Sequence, residues 1–255
     1  MTRRQITWIS ANDPPEAFPD ISSALESPNG LLAAGGDLAA DRLLYAYANG
    51  IFPWFEEGQP ILWWSPDPRC ILRPDAFHVS RRLRRTLKSS PFRVSFNEDF
   101  GSVIAGCSGE RDTYTGTWIT PEMIEAYARL HELGWAHSVE VWSDGELAGG
   151  MYGVSIGRAF FGESMFSRVS NASKVALLVL CRQLERHRFS VLDCQVPSPH
   201  LFSLGATLMP RAEFARLLAA ACRQRTRFES WPAERINPAE LAAPATARKP
   251  GPELQ

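Results

Sequence analysis

Ser138 to Phe166 reads SVEVWSDGELAGGMYGVSIGRAFFGESMF. Three β-rich runs, SVEVW, ELAGGMYGVSI and RAFFGESMF, follow one another, and the first two are joined by Asp144-Gly145, a dipeptide suited to a tight hairpin turn. The stretch predicts an antiparallel meander. On its C-terminal side lie a helix over about 172–187, a strand SVLDCQV (190–196) and a helix opened by Pro210. On its N-terminal side Thr120 and Pro121 open a helix that stops at Gly134, and Ser80 caps another over about 80–89, with Leu83 and Leu87 on one face. CILR (70–73) supplies an earlier strand. The core order is β-β-β-α-β-α, so the expected class is α+β, a mixed α/β arrangement with a largely antiparallel sheet.

Before CILR the chain changes character. Gly50 to Arg69, GIFPWFEEGQPILWWSPDPR, carries four prolines and three tryptophans, and SPDP is turn chemistry. A boundary at its end predicts a small aromatic and Pro-rich N-terminal domain over 1–68, with one short helix at about 41–49 stopped by Gly50. The main domain follows over 69–230. After Trp231 the composition turns to Pro, Ala and charge, which predicts a frayed tail over 231–255.

A chain of 255 residues buries roughly 70–75% of its unfolded surface, and with 45% hydrophobic and 22% charged residues it is neither a disordered nor a fibrous composition. No apolar run of membrane-spanning length occurs and the start lacks a signal-peptide pattern, so a cytoplasmic, water-soluble protein is expected. Cys70, Cys107, Cys181, Cys194 and Cys222 are odd in number and never spaced C-x-x-C, which predicts reduced thiols and no thiolate zinc site. The formal charge of -1 hides an uneven distribution: His78 to Arg93 holds six Arg or Lys and no acid, and Arg211 to Arg227 five Arg against one Glu. That segment is either a solvated basic face or a surface for an acidic partner.

Candidate chemistry gathers on two strands. Period-two alternation puts Phe161, Glu163 and Met165 on one face, and leaves open whether Glu163 is buried or faces water. It also puts Asp193 and Gln195 together near the end of their strand, opposite Leu192, Cys194 and Val196. The pair serves either a ligand or the following turn. Between these strands Ser170 or Asn171 caps a helix, which would either welcome a phosphate or oxyanion or simply end the helix. Tyr47, Trp54, Trp63, Trp64 and Trp118 sit in turn-rich surroundings, where they could stack on nucleobases or fill the core.

Taken together the segments resemble the leucyl/phenylalanyl-tRNA–protein transferases from about Phe18 to about Phe214. The matching wording is GLLAAGGDL, NGIFPWF, PILWWSPDPR, GTWIT, LHELGWAHSVEVW, GGMYGVSIG, FGESMFSRVSNASK and LDCQV. The resemblance implies a small N-terminal domain and a C-terminal domain like the acetyltransferase fold. It implies a cytoplasmic bacterial enzyme that moves Leu or Phe, and less well Met, from aminoacyl-tRNA to proteins beginning with Arg or Lys. The product would be an N-end rule degradation signal. Carried onto this chain, it implies Asp193, Gln195 and Glu163 as the functional polar groups. Met151, Phe160, Met165, Leu177, Leu180 and Leu192 would form an apolar pocket, and Tyr47, Trp54 and Trp118 would stand near the terminal adenosine. It implies no metal or cofactor, and a monomer is expected.

The departures are Pro197-Ser198-Pro199, where relatives often carry Leu-Asn-Asp, and the opposite strand parity of Phe160 and Met165, which demands a bend. In the reaction so implied, Asp193 orients the attacking amine and accepts its proton, Gln195 aligns amine and carbonyl, and Glu163 meets either the acceptor cation or the aminoacyl amine. Arg81, Arg82, Arg84, Arg85 and Lys88 would hold tRNA phosphates. The rival readings are an acyl-CoA-dependent N-acetyltransferase, against which RVSNAS lacks the glycines of a pyrophosphate loop, and a non-catalytic RNA-binding module, which leaves the polar trio without a task.

Overall fold

A computed structural model describes residues 6–89, 92–109 and 119–224; the expected tail over 231–255 lies outside them. The first part of the chain builds a four-stranded sheet from β1 (Thr7–Ile9), β2 (Leu31–Gly35), β3 (Phe52–Pro53) and β4 (Leu62–Trp64), in the order β1-β2-β4-β3, with α1 (Ala40–Ala48) between β2 and β3. Gly50 ends α1 as expected, at φ +76, a value that favours glycine.

The chain then enters a seven-stranded sheet through β5 (Arg69–Leu72). After α2 (Arg81–Ser89) come β6 (Arg93–Phe96), α3 (Phe100–Ser108) and α4 (Pro121–Glu132). The meander is β7 (Ala136–Ser143), β8 (Glu146–Ile156) and β9 (Ala159–Ser167). It is followed by α5 (Ala172–Arg186), β10 (Val191–Gln195), α6 (Pro199–Ser203), β11 (Thr207–Met209) and α7 (Arg211–Cys222). The order across the sheet is β11-β5-β10-β9-β8-β7-β6, and β9–β10 is its parallel pair. The mixed, largely antiparallel sheet is the class read from the sequence.

Local chemistry accounts for the framework. Asp144 and Gly145 both take positive φ, 52° and 85°, as a hairpin turn matched to strand twist requires. Ser80 Oγ accepts from Leu83 N and Thr120 Oγ1 from Met123 N, so both helix starts carry the caps expected of them. One face of the large sheet packs, through Tyr152, Phe161 and Val191, on a core shared with α1, α3, α4, α7 and the small sheet. The other face buries Met151, Phe160 and Leu192 against α2 and α5.

Two expectations from strict alternation fail, for one physical reason. Tyr152 pairs with Ser164 but Gly153 with Gly162, so Glu163 is an extra residue on β9. This bulge separates the predicted trio: Phe161 packs in the core on one face and Met165 against the core on the other. It also gives Phe160 and Met165 a common face, the bend their parity demanded. On β10, Asp193 pairs with Ile71 and Gln195 with Cys70, so Cys194 is extra and Gln195 takes φ 61. Simple alternation of Asp193 and Gln195 does not describe this strand.

Candidate functional site

The two bulges are neighbours. β9 and β10 run side by side through Asp193 and Phe161, the last partners of the parallel pairing, and both bulges follow at once. A bulge re-aims the side chain it carries. Beside them opens a concavity of about 290 Å³. Four of the six apolar residues expected there line it, Met151, Met165, Leu177 and Leu192. Phe160 and Leu180 do not line it and are buried in the core on the same face of the sheet. Glu163, Ser164, Cys194, Ser198 and His200 add polar edges, and Leu201 completes the apolar side. A larger concavity, about 500 Å³ between β5, β11 and α7, contains none of the candidate residues.

Glu163 stands at this opening with both oxygens engaged. Tyr127 Oη donates to Oε2 at 2.9 Å, Gln195 Nε2 donates to Oε1 at 2.7 Å, and the hydroxyls of Tyr47 and Tyr127 bond to each other. Burial pushes the Glu163 carboxyl up to about 7; the hydrogen bonds oppose that shift and the nearby Asp193 charge adds to it. Burial, with the Glu163 charge next to them, raises both tyrosine hydroxyls well above their usual range, so they act as neutral donors. The carboxyl therefore sits among donors that carry no positive charge.

Asp193 is held differently. It is fully buried, and Arg69 Nε and Nη2 donate to its two oxygens at 2.8 and 2.7 Å. The backbone N–H of Gln195 donates to Oδ1 at 2.9 Å, which ties this carboxylate to the left-handed turn of the chain at Gln195. Arg69 is itself fully buried, with its guanidinium 4.7 Å from the Phe52 ring and 4.9 Å from the Phe214 ring, and Nη1 donates to Gly50 O. One side chain thus connects β3, α7 and β10.

The remaining expected residues are spread around this centre. Tyr47 has no exposed surface and its ring lies 5.1 Å from Phe161, whereas Trp54 is 43% exposed and leans on Trp64. Trp63 is buried in the core, and Trp118 lies outside the described residues. Arg81, Arg82, Arg84, Arg85 and Lys88 are all exposed on α2, while Leu83 and Leu87 are buried beneath them. At the start of α5 neither Ser170 nor Asn171 provides the side-chain cap: Asn171 reaches Thr86 Oγ1, and Ser167 Oγ accepts from Ser173 N.

Sequence reading missed Arg69, Tyr127, Ser198, His200 and Leu201. For Arg69 a signal existed, a lone arginine opening an apolar strand. Tyr127 carried none, because its spacing with Met123 and Leu130 on α4 marks only a core position. Among the described residues, no group of three or more His, Cys, Asp or Glu could hold a metal ion, and no helix is long and apolar enough to cross a membrane.

Comparison with known proteins covers most of the chain. Residues 71–219 match the profile of the leucyl/phenylalanyl-tRNA protein transferases, and residues 36–67 that of their N-terminal domain. A leucyl/phenylalanyl-tRNA–protein transferase of Stutzerimonas stutzeri is 55% identical over 84% of this chain and 94% of its own. One of Azotobacter vinelandii is 58% identical over 79% and 89%. Among solved structures, a GCN5-related N-acetyltransferase from Kribbella flavida covers 66% of this chain and 59% of its own, at a TM-score of 0.34 and 12% identity, too loose a likeness to build on. The profile match spans the elements that form the bulged site, both relatives are at least 55% identical over most of each chain, and the chain belongs to the leucyl/phenylalanyl-tRNA protein transferase family.

Proposed function

We propose that this protein transfers Leu or Phe, and less well Met, from aminoacyl-tRNA to the α-amino group of proteins that begin with Arg or Lys. It acts in this reading as a cytoplasmic monomer whose product marks proteins for degradation. The observation that carries the proposal is the convergence of Glu163 and Gln195 with an apolar cavity at adjacent bulges of β9 and β10.

The reaction is aminolysis of an ester. The neutral acceptor amine attacks the aminoacyl carbonyl, a tetrahedral oxyanion forms, and on its collapse the surplus proton of the nitrogen passes to the ribose oxygen, which leaves as a hydroxyl. An α-ammonium has a pKa of about 7.7–8.0. A Glu163 carboxyl near 7 can take its proton with little mismatch. Gln195 donates to Glu163 and in doing so presents its amide oxygen to an N–H of the incoming amine. The double contact of Asp193 with Arg69 supports a positioning role for Asp193, acting through the Gln195 backbone, rather than the proton-accepting role expected in the reaction that the resemblance implies. The transferred side chain occupies the cavity between Met151, Met165, Leu177 and Leu192, whose flexible methionines suit more than one apolar shape. Trp54 offers an exposed ring to the terminal adenosine. The five cations of α2 hold tRNA phosphates, a contact that weakens with salt and reads little sequence.

The deciding experiment offers Phe-tRNA or acetyl-CoA together with peptides that begin with Arg, Lys or Ala. Transfer of Phe to the Arg and Lys peptides alone is the expected result. Transfer from acetyl-CoA, or binding of tRNA without transfer, would overturn it.

A further inference from the structure

The paired strands β8 and β9 contain Gly149, Gly150, Gly153 and Gly162, and three of these are explained by packing. A Cβ at Gly149 would lie 2.6 Å from Ala172 Cβ, and one at Gly150 would lie 2.7 Å from Val139 O; at Gly153 it would run into Phe161 O. No real side chain tolerates such approaches, so the sheet and α5 require glycine there. Gly162 is different. Its φ is ordinary, and an added Cβ would meet only Asp193 O at 3.5 Å and Leu192 Cδ2 at 3.8 Å, both normal van der Waals contacts. Backbone conformation gives no reason for glycine at this position, and neither does packing.

The space a side chain would take up is the cavity, which Gly162 lines directly before the Glu163 bulge. The other apolar walls are ends of Met and Leu side chains that can move aside. At Gly162 the wall is main chain, held in register by β8 and beside the Asp193 carbonyl, and it cannot move aside. We propose that Gly162 is a specificity-determining residue, whose missing side chain leaves the room that admits a bulky aryl or branched side chain to the transfer site. This rests on the reading of the cavity as the aminoacyl pocket.

The test compares Gly162→Ala and Gly162→Val with the unmodified protein for kcat/KM on Phe-, Leu- and Met-tRNA, and follows thermal unfolding of each. Gly162→Ala is expected to keep the melting temperature and to lower the Phe:Met ratio roughly tenfold or more, because a methylene-sized change in an apolar pocket discriminates on that scale. Leu should fall between the two, and Gly162→Val should extend the same trend. Gly153→Ala serves as the contrast and should lose melting temperature. An unchanged Phe:Met ratio in a folded Gly162→Ala protein would overturn the inference and leave the transferase reading intact. So would a Gly162→Ala protein that unfolds as readily as Gly153→Ala, since the glycine would then be structural. If the unmodified protein transfers none of the three amino acids, the reading beneath the inference fails and takes the inference with it.

Discussion

Asp193 on β10 and Glu163 on β9 stand on neighbouring strands, yet the protein secures them in opposite ways. Asp193 has a cation: Arg69 grips both oxygens in a pocket with no solvent contact, and two aromatic rings cover the guanidinium. Glu163 has neutral donors, a phenol and an amide, and keeps an opening toward the cavity. A buried carboxyl group gripped at both oxygens by an arginine is held in place and serves as an anchor. One among neutral donors, with its carboxyl near 7, can gain and lose a proton at working pH. The pair teaches that burial alone does not assign a role to a carboxylate; the charge of its partner does.

The contrast is broken most forcefully by removing the partner of the anchor. Arg69→Ala strands a buried negative charge and should destabilise the fold by about 3–5 kcal/mol in urea unfolding. Arg69→Lys should recover only part of this, because an ammonium cannot reproduce the two parallel bonds. A loss below about 1 kcal/mol would mean that Asp193 is not anchored as described. Glu163→Gln comes next. It should leave the urea midpoint near that of the parent at neutral pH but reduce transfer on the order of 100-fold, as loss of a positioned proton acceptor does. Full activity in that variant would remove Glu163 from the chemistry.

Tyr127→Phe sharpens the comparison instead. It deletes a donor that holds the Glu163 carboxyl down, so the rising limb of the transfer rate against pH should move upward from about 7, with the plateau rate less affected. The gentlest effect is on stability against pH. The folded value of Glu163, about 7, exceeds its ordinary 4.5, so its contribution is whole below pH 4.5 and is lost as pH rises through about 7. Glu140, raised by burial and without a cation, adds to the same slope, while buried His137, lowered to about 3, opposes it at acid pH. The difference between the parent and Glu163→Gln across pH 4.5 to 7 isolates the Glu163 share. A flat difference would show that the carboxyl is not raised.

Legibility in the sequence followed periodicity. The β7–β8–β9 meander and α4 were readable because turns, caps and apolar spacing agree there, and α5 because its apolar spacing runs on over many residues. The small sheet was not, because β1, β3 and β4 are two or three residues long and show no alternation. At the site the residue types were visible but their faces were not. Each bulge inserts a residue that no hydrophobic pattern announces, so Glu163 and Gln195 could be named while the bond between them could not. Tyr47 shows the complementary limit: its surroundings left stacking and core filling open, and the fold sinks its hydroxyl in a buried network. Arg69 was passed over because its significance comes from Phe52, Asp193 and Phe214, which are brought together only by the tertiary fold.

The placement of that arginine bears on any attempt to dissect the molecule. Every side chain around the cavity belongs to residues 151–201, so a truncated polypeptide starting at residue 69 would keep the whole rim. It would keep the guanidinium but lose the Gly50 carbonyl and the Phe52 ring that seat it, so Arg69 would have to hold Asp193 from a bare chain end. The molecule cannot be cut cleanly at the linker its composition suggests, because the seat of the first residue after the cut lies on both sides of it.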